Sequence, residues 1–482
     1  MNIVAAMAEP ALFGPSFQPP ETWAAWGAFL RAAFGLTMSP EELALFRRHT
    51  GRSVAPSRPC REAWTICGRR AGKSRVAAAI ATYLAAFKRY RLAPGETGVL
   101  MVIACDKTQA RVVFAYVRAL LGSTPMLAAM VVGETAETIT LKNGVRIEVR
   151  AGNYRSVRGV TLIGCVLDEV AFLRDETSAM PDVELYRALK PALATVEGGV
   201  LIGISTPYSR RGLLYEKWKR HFGKDGDTLV WTAPSRAMNP TLPAEIVEEA
   251  LADDEAAARA EWLGEFRSDL EAFVSREVIE ACTVPARIGL PPVSGIRYFG
   301  FTDPSGGGQD SFTVGVAHVD ERQGQRIAVL DYVSERRPPF SPEQVAAEYA
   351  AVLKSYGVTT VQSDRYAGQW PIEVFAKHGI TVEQSAAAKS DLYRELLPLL
   401  HSGRCELLDH PRLHAQLLAL ERRVARGGRD SIDHPPNAHD DVVNSAAGAL
   451  VTAAAVAREP GILAYYRLKY EARQRGEPDP FA

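Results

Sequence analysis

Residues 67–74 read C-G-R-R-A-G-K-S, from Cys67 to Ser74, and the fold of the N-terminal half turns on this stretch. The apolar run Trp64–Cys67 leads into it, and a helix of small residues, V-A-A-A-I, follows from Val76. Strand, glycine-rich turn and helix form the context of a phosphate-binding loop. Backbone N–H groups of Gly68, Arg69, Arg70, Ala71 and Gly72, with the helix N-terminus behind them, are placed to cradle phosphate. Lys73 would reach the β- and γ-phosphates of a nucleotide, and the Ser74 hydroxyl would hold Mg²⁺. The usual first glycine is replaced by Cys67, and Gly68 takes its part. A surface turn carrying Arg69 and Arg70 is the bland alternative.

Downstream, the apolar run I-G-C-V-L ends in Asp168-Glu169. An acidic pair at a strand end has a direct use beside a phosphate loop. Asp168 would support Mg²⁺ through water, and Glu169 would orient or deprotonate the attacking water. A third run, V-L-I-G-I, ends in Ser205-Thr206-Pro207, a polar strand tip able to sense the γ-phosphate. Ligands of open α/β sheets collect at such strand ends. Arg158, in R-S-V-R-G, is a candidate arginine finger acting in cis or on a neighbouring subunit. Short apolar runs alternate with helical patterns from Trp64 to about Thr206, which predicts a mostly parallel sheet with helices on both faces. Val145–Val149, after the turn signal Lys142-Asn143-Gly144, reads as part of a hairpin. Trp23, Trp26, Leu30 and Phe34 fall at helical spacing and read as core. Residues 241–267 read as strongly helical.

The second half carries acids at three separated element ends. Asp303 closes Y-F-G-F-T-D, Asp364 closes T-T-V-Q-S-D, and Asp440-Asp441 open the helix of H-D-D-V-V-N-S. Strands are expected at Tyr298–Thr302, Phe312–His318, Arg326–Tyr332 and Thr359–Ser363, and helices at about 341–356, 391–401 and 440–457. Strand–Asp, two strands, helix, strand–Asp and a helix opening on Asp is the order of an RNase H-like fold. Mg²⁺ and Mn²⁺ prefer carboxylate oxygens, and acids from three distant segments can build a two-metal site for phosphodiester cleavage. Singly, each acid reads as a turn residue, a loop acid or a helix cap. Asp310 is a further acid nearby. His410, His414 and His434 read as turn or surface histidines, and His439 as a residue standing behind the metal ligands.

The 482 residues suit two or three domains. Acids and bases balance at 56 each, which counts against a static DNA coat but not against a protein that grips and releases DNA. The six cysteines are scattered without a C-x-x-C pair, so neither a zinc framework nor a disulfide scaffold is indicated. The N-terminus lacks the basic region of a signal peptide. The longest apolar stretches, near Val76–Phe87 and Ala446–Ala457, fall short of the ~20 residues that span a bilayer. A cytosolic protein with no membrane partner is expected.

Taken in order, G-R-R-A-G-K-S, R-S-V-R-G, V-L-D-E, I-S-T-P, F-T-D-P-S, Q-S-D-R and H-P-P-N-A-H-D-D resemble the large terminase subunit of tailed phages and the related packaging proteins of gene transfer agents. The resemblance covers roughly residues 60–450. It implies an ATPase that drives double-stranded DNA into a procapsid and a nuclease that cuts concatemeric DNA. It implies ATP and Mg²⁺ at Lys73 and Ser74, Glu169 as the hydrolytic carboxylate, and coupling through Ser205 and Thr206. Arg158 lies where such proteins can carry a trans-acting arginine. Asp303, Asp364 and Asp440 or Asp441 would form the nuclease site, with two Mg²⁺ or Mn²⁺ ions. A ring of five subunits on a portal protein, a small terminase partner and the cytoplasm of a bacterial host follow from the same resemblance.

The expected organisation is a helical lead-in over 1–60, a P-loop ATPase core over 61–240, a helical lid or linker over 241–292, an RNase H-like nuclease over 293–458 and a basic tail over 459–482. Arg365, Lys389 and the cluster 422–429 are candidate DNA-phosphate contacts. Two rival readings share parts of this chemistry. A helicase or repair ATPase with an attached nuclease predicts strand separation. A P-loop regulator with an inert C-terminal binding module predicts no metal-dependent cutting. A structural virion protein would leave both acidic constellations unexplained.

Overall fold

The computed structural model describes residues 1–151, 157, 159–173, 181–306, 310–364, 370–424, 430–436, 438–455 and 469. Two compact units emerge. The first is Met1–Glu271 with Arg422–Asp430 and Pro436–Ala438; the second is Ala272–Glu421 with Ser431–Pro435 and His439–Ala482.

The first unit is built on eight strands: β1 (Glu62–Cys67), β2 (Gly98–Ala104), β3 (Val131–Glu134), β4 (Thr138–Leu141), β5 (Arg146–Ala151), β6 (Thr161–Asp168), β7 (Val200–Ser205) and β8 (Thr228–Ala233). Their order in the sheet is β3-β4-β5-β2-β6-β7-β1-β8. From β5 to β8 all neighbours are parallel, and β3–β4–β5 is an antiparallel meander. β7 lies between β1 and β6, so the loop after β1 and the acids ending β6 open on one edge of the sheet. Along each central strand the side chains alternate between two apolar layers. Leu100, Val102, Ile163, Val166, Ile202 and Ile204 pack on one face with the helix Lys73–Phe87. Trp64, Ile66, Met101, Leu167 and Leu201 pack on the other with the helix Pro181–Ala194. Helices therefore cover both faces, as the pattern of apolar runs predicts.

Three details depart from the sequence reading. β8, an edge strand, is absent from it. The helical stretch 241–267 is two helices, Ala244–Asp253 and Glu255–Leu263. Between them Asp254 adopts an extended backbone, and its side chain accepts from Ala257 N at 3.0 Å to cap the second helix. Third, the tryptophans before residue 60 do more than fill a core: Trp26 Nε1 donates to the carbonyl of Ala71 at 2.6 Å, bracing the phosphate loop from behind.

A short strand, β9 (Leu270–Ala272), marks the division between units. The second unit holds β10 (Tyr298–Asp303), β11 (Phe312–Arg322), β12 (Gln325–Arg336), β13 (Thr360–Ser363), β14 (Thr381–Gln384) and β15 (Cys405–Glu406). The sheet order is β14-β13-β10-β11-β12-β15. β10, β11 and β12 form an antiparallel meander, and β13 and β14 add parallel beside β10. This mixed sheet, with the helix Pro342–Ser355 between β12 and β13, is RNase H-like. β11 and β12 run longer than expected, joined by Gln323 and Gly324, both at positive φ. Their outer ends are charged and exposed, so the apolar alternation fades before the strands do.

The helix Asp441–Ala455 packs against β10, β11 and β12. A Cβ on Gly448 would fall 2.2 Å from the Phe301 ring, so a glycine is what lets this helix lie close enough to bring its first turn to the end of β10. No helix among the described residues is long and apolar enough to cross a membrane.

Candidate nucleotide site and candidate metal site

β1 ends in Cys67, and the loop Gly68–Gly72 delivers the chain into the helix that starts at Lys73. Gly68 is held against a neighbouring helix end; a Cβ there would lie 2.1 Å from Ser235 Oγ and 2.6 Å from the Glu261 carbonyl. Arg69 N donates to that same carbonyl, and the Arg69 guanidinium lies 3.2 Å from the Glu261 carboxylate. Arg70 is exposed, and its carbonyl accepts from Asn239 Nδ2 at 2.8 Å. Cys67 is fully buried, and burial pushes its thiol up to about 12, so it stays protonated.

Lys73 is buried and its ammonium is closely partnered. Nζ donates to Thr206 Oγ1 at 2.7 Å, to the Gly68 carbonyl at 2.9 Å and to the Cys67 carbonyl at 3.3 Å. Glu169 Oε1 lies 3.3 Å away. Glu169 itself has φ 51°, a left-handed conformation uncommon for a residue with a side chain. Its Oε2 accepts from Thr206 N at 3.0 Å and Ser205 Oγ at 3.2 Å. Parallel register explains the meeting: Asp168 lies beside Ile204, so Glu169 and Ser205-Thr206 leave adjacent strands together.

Asp168 is fully buried. Burial, then the charge of Glu169, pushes its pKa up to about 6; Gln109, Lys73 and Ser74 oppose the shift. Its Oδ2 lies 3.4 Å from Ser74 Oγ and accepts from Gln109 Nε2 at 2.9 Å, while Oδ1 is buried without a hydrogen-bond partner among the described residues. The structure thus gathers Lys73, Ser74, Asp168, Glu169, Ser205 and Thr206 at one strand edge. Gln109 is a member that the sequence reading missed. Arg158 lies outside the described residues.

In the second unit, Asp303 at the end of β10 and Asp364 just past β13 meet across Asn444. Asn444 Nδ2 donates to Asp303 Oδ2 at 2.8 Å and to Asp364 Oδ2 at 3.2 Å. Asp364 Oδ1 and Asn444 Oδ1 are buried with no hydrogen-bond partner among the described residues. Asp441 opens the last helix; its Oδ2 accepts from Ser311 N at 3.3 Å. Burial pushes Asp303 up to about 8; the Asn444 bond opposes this, and Asp441, Asp364 and Asp440 add to it in that order. Asp441 is raised for the same reasons, burial first and Asp440 second.

Asp440 faces elsewhere. Its Oδ2 accepts from Tyr393 OH at 2.7 Å, and Lys389 Nζ lies 3.1 Å from that oxygen and 2.9 Å from Asp433 Oδ1. Among the described residues, Asp433, His434 and Asp440 are the one group whose ligand atoms all lie within 4.8 Å of one another. The Lys389 ammonium bridges its two carboxylates. The ligand atoms of Asp303, Asp364 and Asp441 do not all come within that distance of one another. Asn444, one turn beyond Asp441 and so on its helix face, was the readable signal that the sequence analysis passed over.

The other expected residues are more ordinary. His410 Nδ1 caps the helix Pro411–Ala419, and His414 Nε2 lies 3.0 Å from the Leu408 carbonyl. His439 Nδ1 lies 3.8 Å from Asp310, and both are exposed or nearly so. Arg422 pairs with Asp430; Arg365 and 425–429 lie outside the described residues.

No protein-family model matches the chain, and no curated protein matches it. Among solved structures it is similar to the large terminase of bacteriophage HK97, at 16% identity, covering 94% of this chain and 99% of that one with a TM-score of 0.41. It is similar to the ATPase domain of the large terminase of Thermus phage P74-26, at 17% identity, covering 49% of this chain and 97% of that one with a TM-score of 0.36. It is also similar to the large terminase nuclease of the thermophilic phage G20c, at 18% identity, covering 36% of this chain and 94% of that one with a TM-score of 0.31. The similarities run to phage large terminases, along almost the whole chain in the first case and along one part of it in the other two.

Proposed function

We propose that this chain is a large terminase subunit: its first unit hydrolyses ATP to drive double-stranded DNA into a viral procapsid, and its second cuts concatemeric DNA at the start and end of packaging. The observation that carries the reading is the pairing of two sites in one chain. A lysine and a serine meet an Asp-Glu pair at the edge of a parallel sheet, and Asp303 and Asp364 meet across Asn444, one turn along the helix from Asp441, at the edge of an RNase H-like sheet. The order of motifs along the sequence favours packaging over other ATPase–nuclease combinations.

The residues of the first site fit Mg²⁺ and ATP. Ser74 Oγ and Asp168 form an all-oxygen set suited to a hard cation, and the unpartnered Asp168 Oδ1 is an oxygen in want of one. Bound Mg²⁺ would offset the charge of the phosphates. Lys73 is a partner that both Glu169 and a phosphate can claim. Its turn toward the γ-phosphate would release Glu169 Oε1 to accept a proton from the attacking water, while Thr206 N and Ser205 Oγ keep Oε2 in place. Loss of the phosphate would return Lys73 to Glu169 and Thr206, coupling hydrolysis to the loop after β7. Arg158 is the proposed arginine finger.

At the second site the unpartnered Asp364 Oδ1 and the raised Asp303 mark carboxylates that fit a cation. Asp303, Asp364 and Asp441 would hold one or two Mg²⁺ or Mn²⁺ ions, which activate water and steady the leaving oxygen in phosphodiester cleavage. Asp440 would support the site through Lys389 and Tyr393. A portal protein, a small terminase subunit and a ring of five copies are the proposed partners, in the cytoplasm of a bacterial host.

The test measures ATP turnover and plasmid cleavage, with Mg²⁺ or Mn²⁺, on the same samples. Lys73→Ala should lose turnover and keep cutting; Asp303→Asn should do the reverse. A wild-type chain that hydrolyses ATP and never cuts with either metal would remove the nuclease half of the proposal.

A further inference from the structure

Gln109 stands in the first turn of the helix Lys107–Gly122, five residues beyond the point where β2 lies beside the end of β6, Ala104 against Asp168. The Asp106 side chain caps that helix by accepting from Gln109 N at 2.8 Å, which fixes the backbone from which the Gln109 side chain extends. Its amide nitrogen then donates twice, to Asp168 Oδ2 at 2.9 Å and to Ser74 Oγ at 3.2 Å. The direct contact between Ser74 Oγ and Asp168 Oδ2 is 3.4 Å, longer than an ordinary hydroxyl hydrogen bond. Lys73 is turned to Thr206, the Gly68 carbonyl and Glu169. Gln109 is therefore the group that sets the plane of the Asp168 carboxylate. Holding Oδ2 leaves Oδ1 as the buried oxygen with no hydrogen-bond partner among the described residues.

We propose that Gln109 is the positioning residue for Mg²⁺ at this site: one side-chain amide holds Asp168 Oδ2 and Ser74 Oγ together and so presents Asp168 Oδ1 to the cation. The inference rests on reading the first unit as an ATP–Mg²⁺ site. A hydrogen-bond donor to a ligating carboxylate fixes its orientation and is worth roughly 10–100-fold in metal affinity. Because Gln109 acts through Asp168 and Ser74, it should govern the Mg²⁺-dependent part of nucleotide binding and leave the rest alone. Lys73 provides the contrast, since its ammonium is the proposed phosphate contact.

Binding of a fluorescent, non-hydrolysable ATP analogue to the full chain tests this, with Mg²⁺ titrated from zero in one series and EDTA present in the other. In Gln109→Ala the half-saturating Mg²⁺ concentration should rise about 10–100-fold, while affinity in EDTA matches wild type. Gln109→Met, close to glutamine in length and with neither a donor nor a charge, should behave alike, which also decides the matter if the alanine variant folds poorly. Lys73→Ala should weaken binding in EDTA as well. Unchanged Mg²⁺ dependence in both Gln109 variants would overturn the proposal, as would an equal loss with and without Mg²⁺, the mark of a merely structural residue. A wild type that binds no analogue in either series would instead sink the ATP reading and this inference with it.

Discussion

Both sites crowd carboxylates at the edge of a sheet, and they differ in what stands among them. Beside Asp168 and Glu169 it is an ammonium: Lys73 lies 3.3 Å from Glu169 and its charge also eases Asp168. Between Asp303 and Asp364 it is the neutral amide of Asn444, while the Lys389 ammonium is engaged with Asp433 and Asp440. The first site is largely balanced by its own residues. Among the described residues no cationic side chain pairs with Asp303, Asp364 or Asp441, which leaves protons or added cations to balance their charge. The difference teaches what each site awaits. A lysine that can change partners suits an anionic ligand, and carboxylates bridged by an amide suit a cation.

The largest effect should come from Glu169→Gln. The amide can still accept from Thr206 N but cannot take a proton, so ATP turnover should fall on the order of 10²–10⁴-fold. Thermal stability should fall, because the variant keeps one hydrogen-bond acceptor but removes the charge partner of the buried Lys73. Asp303→Asn should behave differently, abolishing cleavage and raising the melting temperature of the metal-free chain at pH 8 and above, where the Asp303 carboxylate is charged against Asp441 and Asp364. Equal stabilisation by both variants would break the comparison.

Next in size is the response to metal without nucleotide. Mn²⁺ at about 100 times its dissociation constant stabilises a one-site protein by ~2.7 kcal/mol. Calorimetry with Mn²⁺ against EDTA should show this gain in the melting of the second unit, and Asp303→Asn should abolish it. A gain that survives in Asp303→Asn would place the cation elsewhere, with Asp433, His434 and Asp440 the first group to examine.

A smaller effect is expected from Lys389→Met, which leaves the buried Asp440 carboxylate with the Tyr393 hydroxyl and the His434 ring 4.0 Å away. The cost should be about 1–3 kcal/mol, and Lys389→Met with Asp440→Asn together should recover most of it, a coupling that denaturant melts can measure. Additive losses would mean that Lys389 is not what balances Asp440.

How much of this was readable in the sequence follows from the range of the interactions involved. The phosphate loop, the Asp-Glu pair and Ser205-Thr206 are local signals: a residue type at the end of an apolar strand already says where the side chain goes. The RNase H-like order was readable for the same reason, from Asp303, Asp364 and the Asp440-Asp441 pair at their element ends. What was not readable depends on register and on side-chain direction. Gln109 reaches Asp168 only because β2 and β6 are neighbours in parallel register, which no local pattern records. Asp440 and Asp441 are adjacent in sequence, but the helix sends one toward Lys389 and the other toward Ser311. Asp254 broke a helix that composition alone would have continued.

The finest separation of the two sites should come from pH in the absence of metal. Asp303 is pushed up to about 8 and Asp168 to about 6, both above the ~3.9 of an unfolded aspartate. A carboxyl whose pKa is raised by folding binds more protons in the folded chain, so stability falls as pH rises from the unfolded value to the folded one. The contribution of Asp168 is therefore complete near pH 6, and that of Asp303 continues to near pH 8. Between pH 6 and 8, in EDTA, the melting temperature of the second unit should decline, and Asp303→Asn should flatten that decline. Asp168→Asn should leave it intact, because the slope it removes lies below pH 6 and belongs to the first unit. Saturating Mn²⁺ should also flatten it, because metal bound to the carboxylates displaces the proton that the folded chain would otherwise retain. A slope between pH 6 and 8 that persists in Asp303→Asn would mean that the unbalanced charge lies outside the Asp303–Asn444–Asp364 cluster, and the contrast between the two sites would have to be redrawn around whichever group carries it.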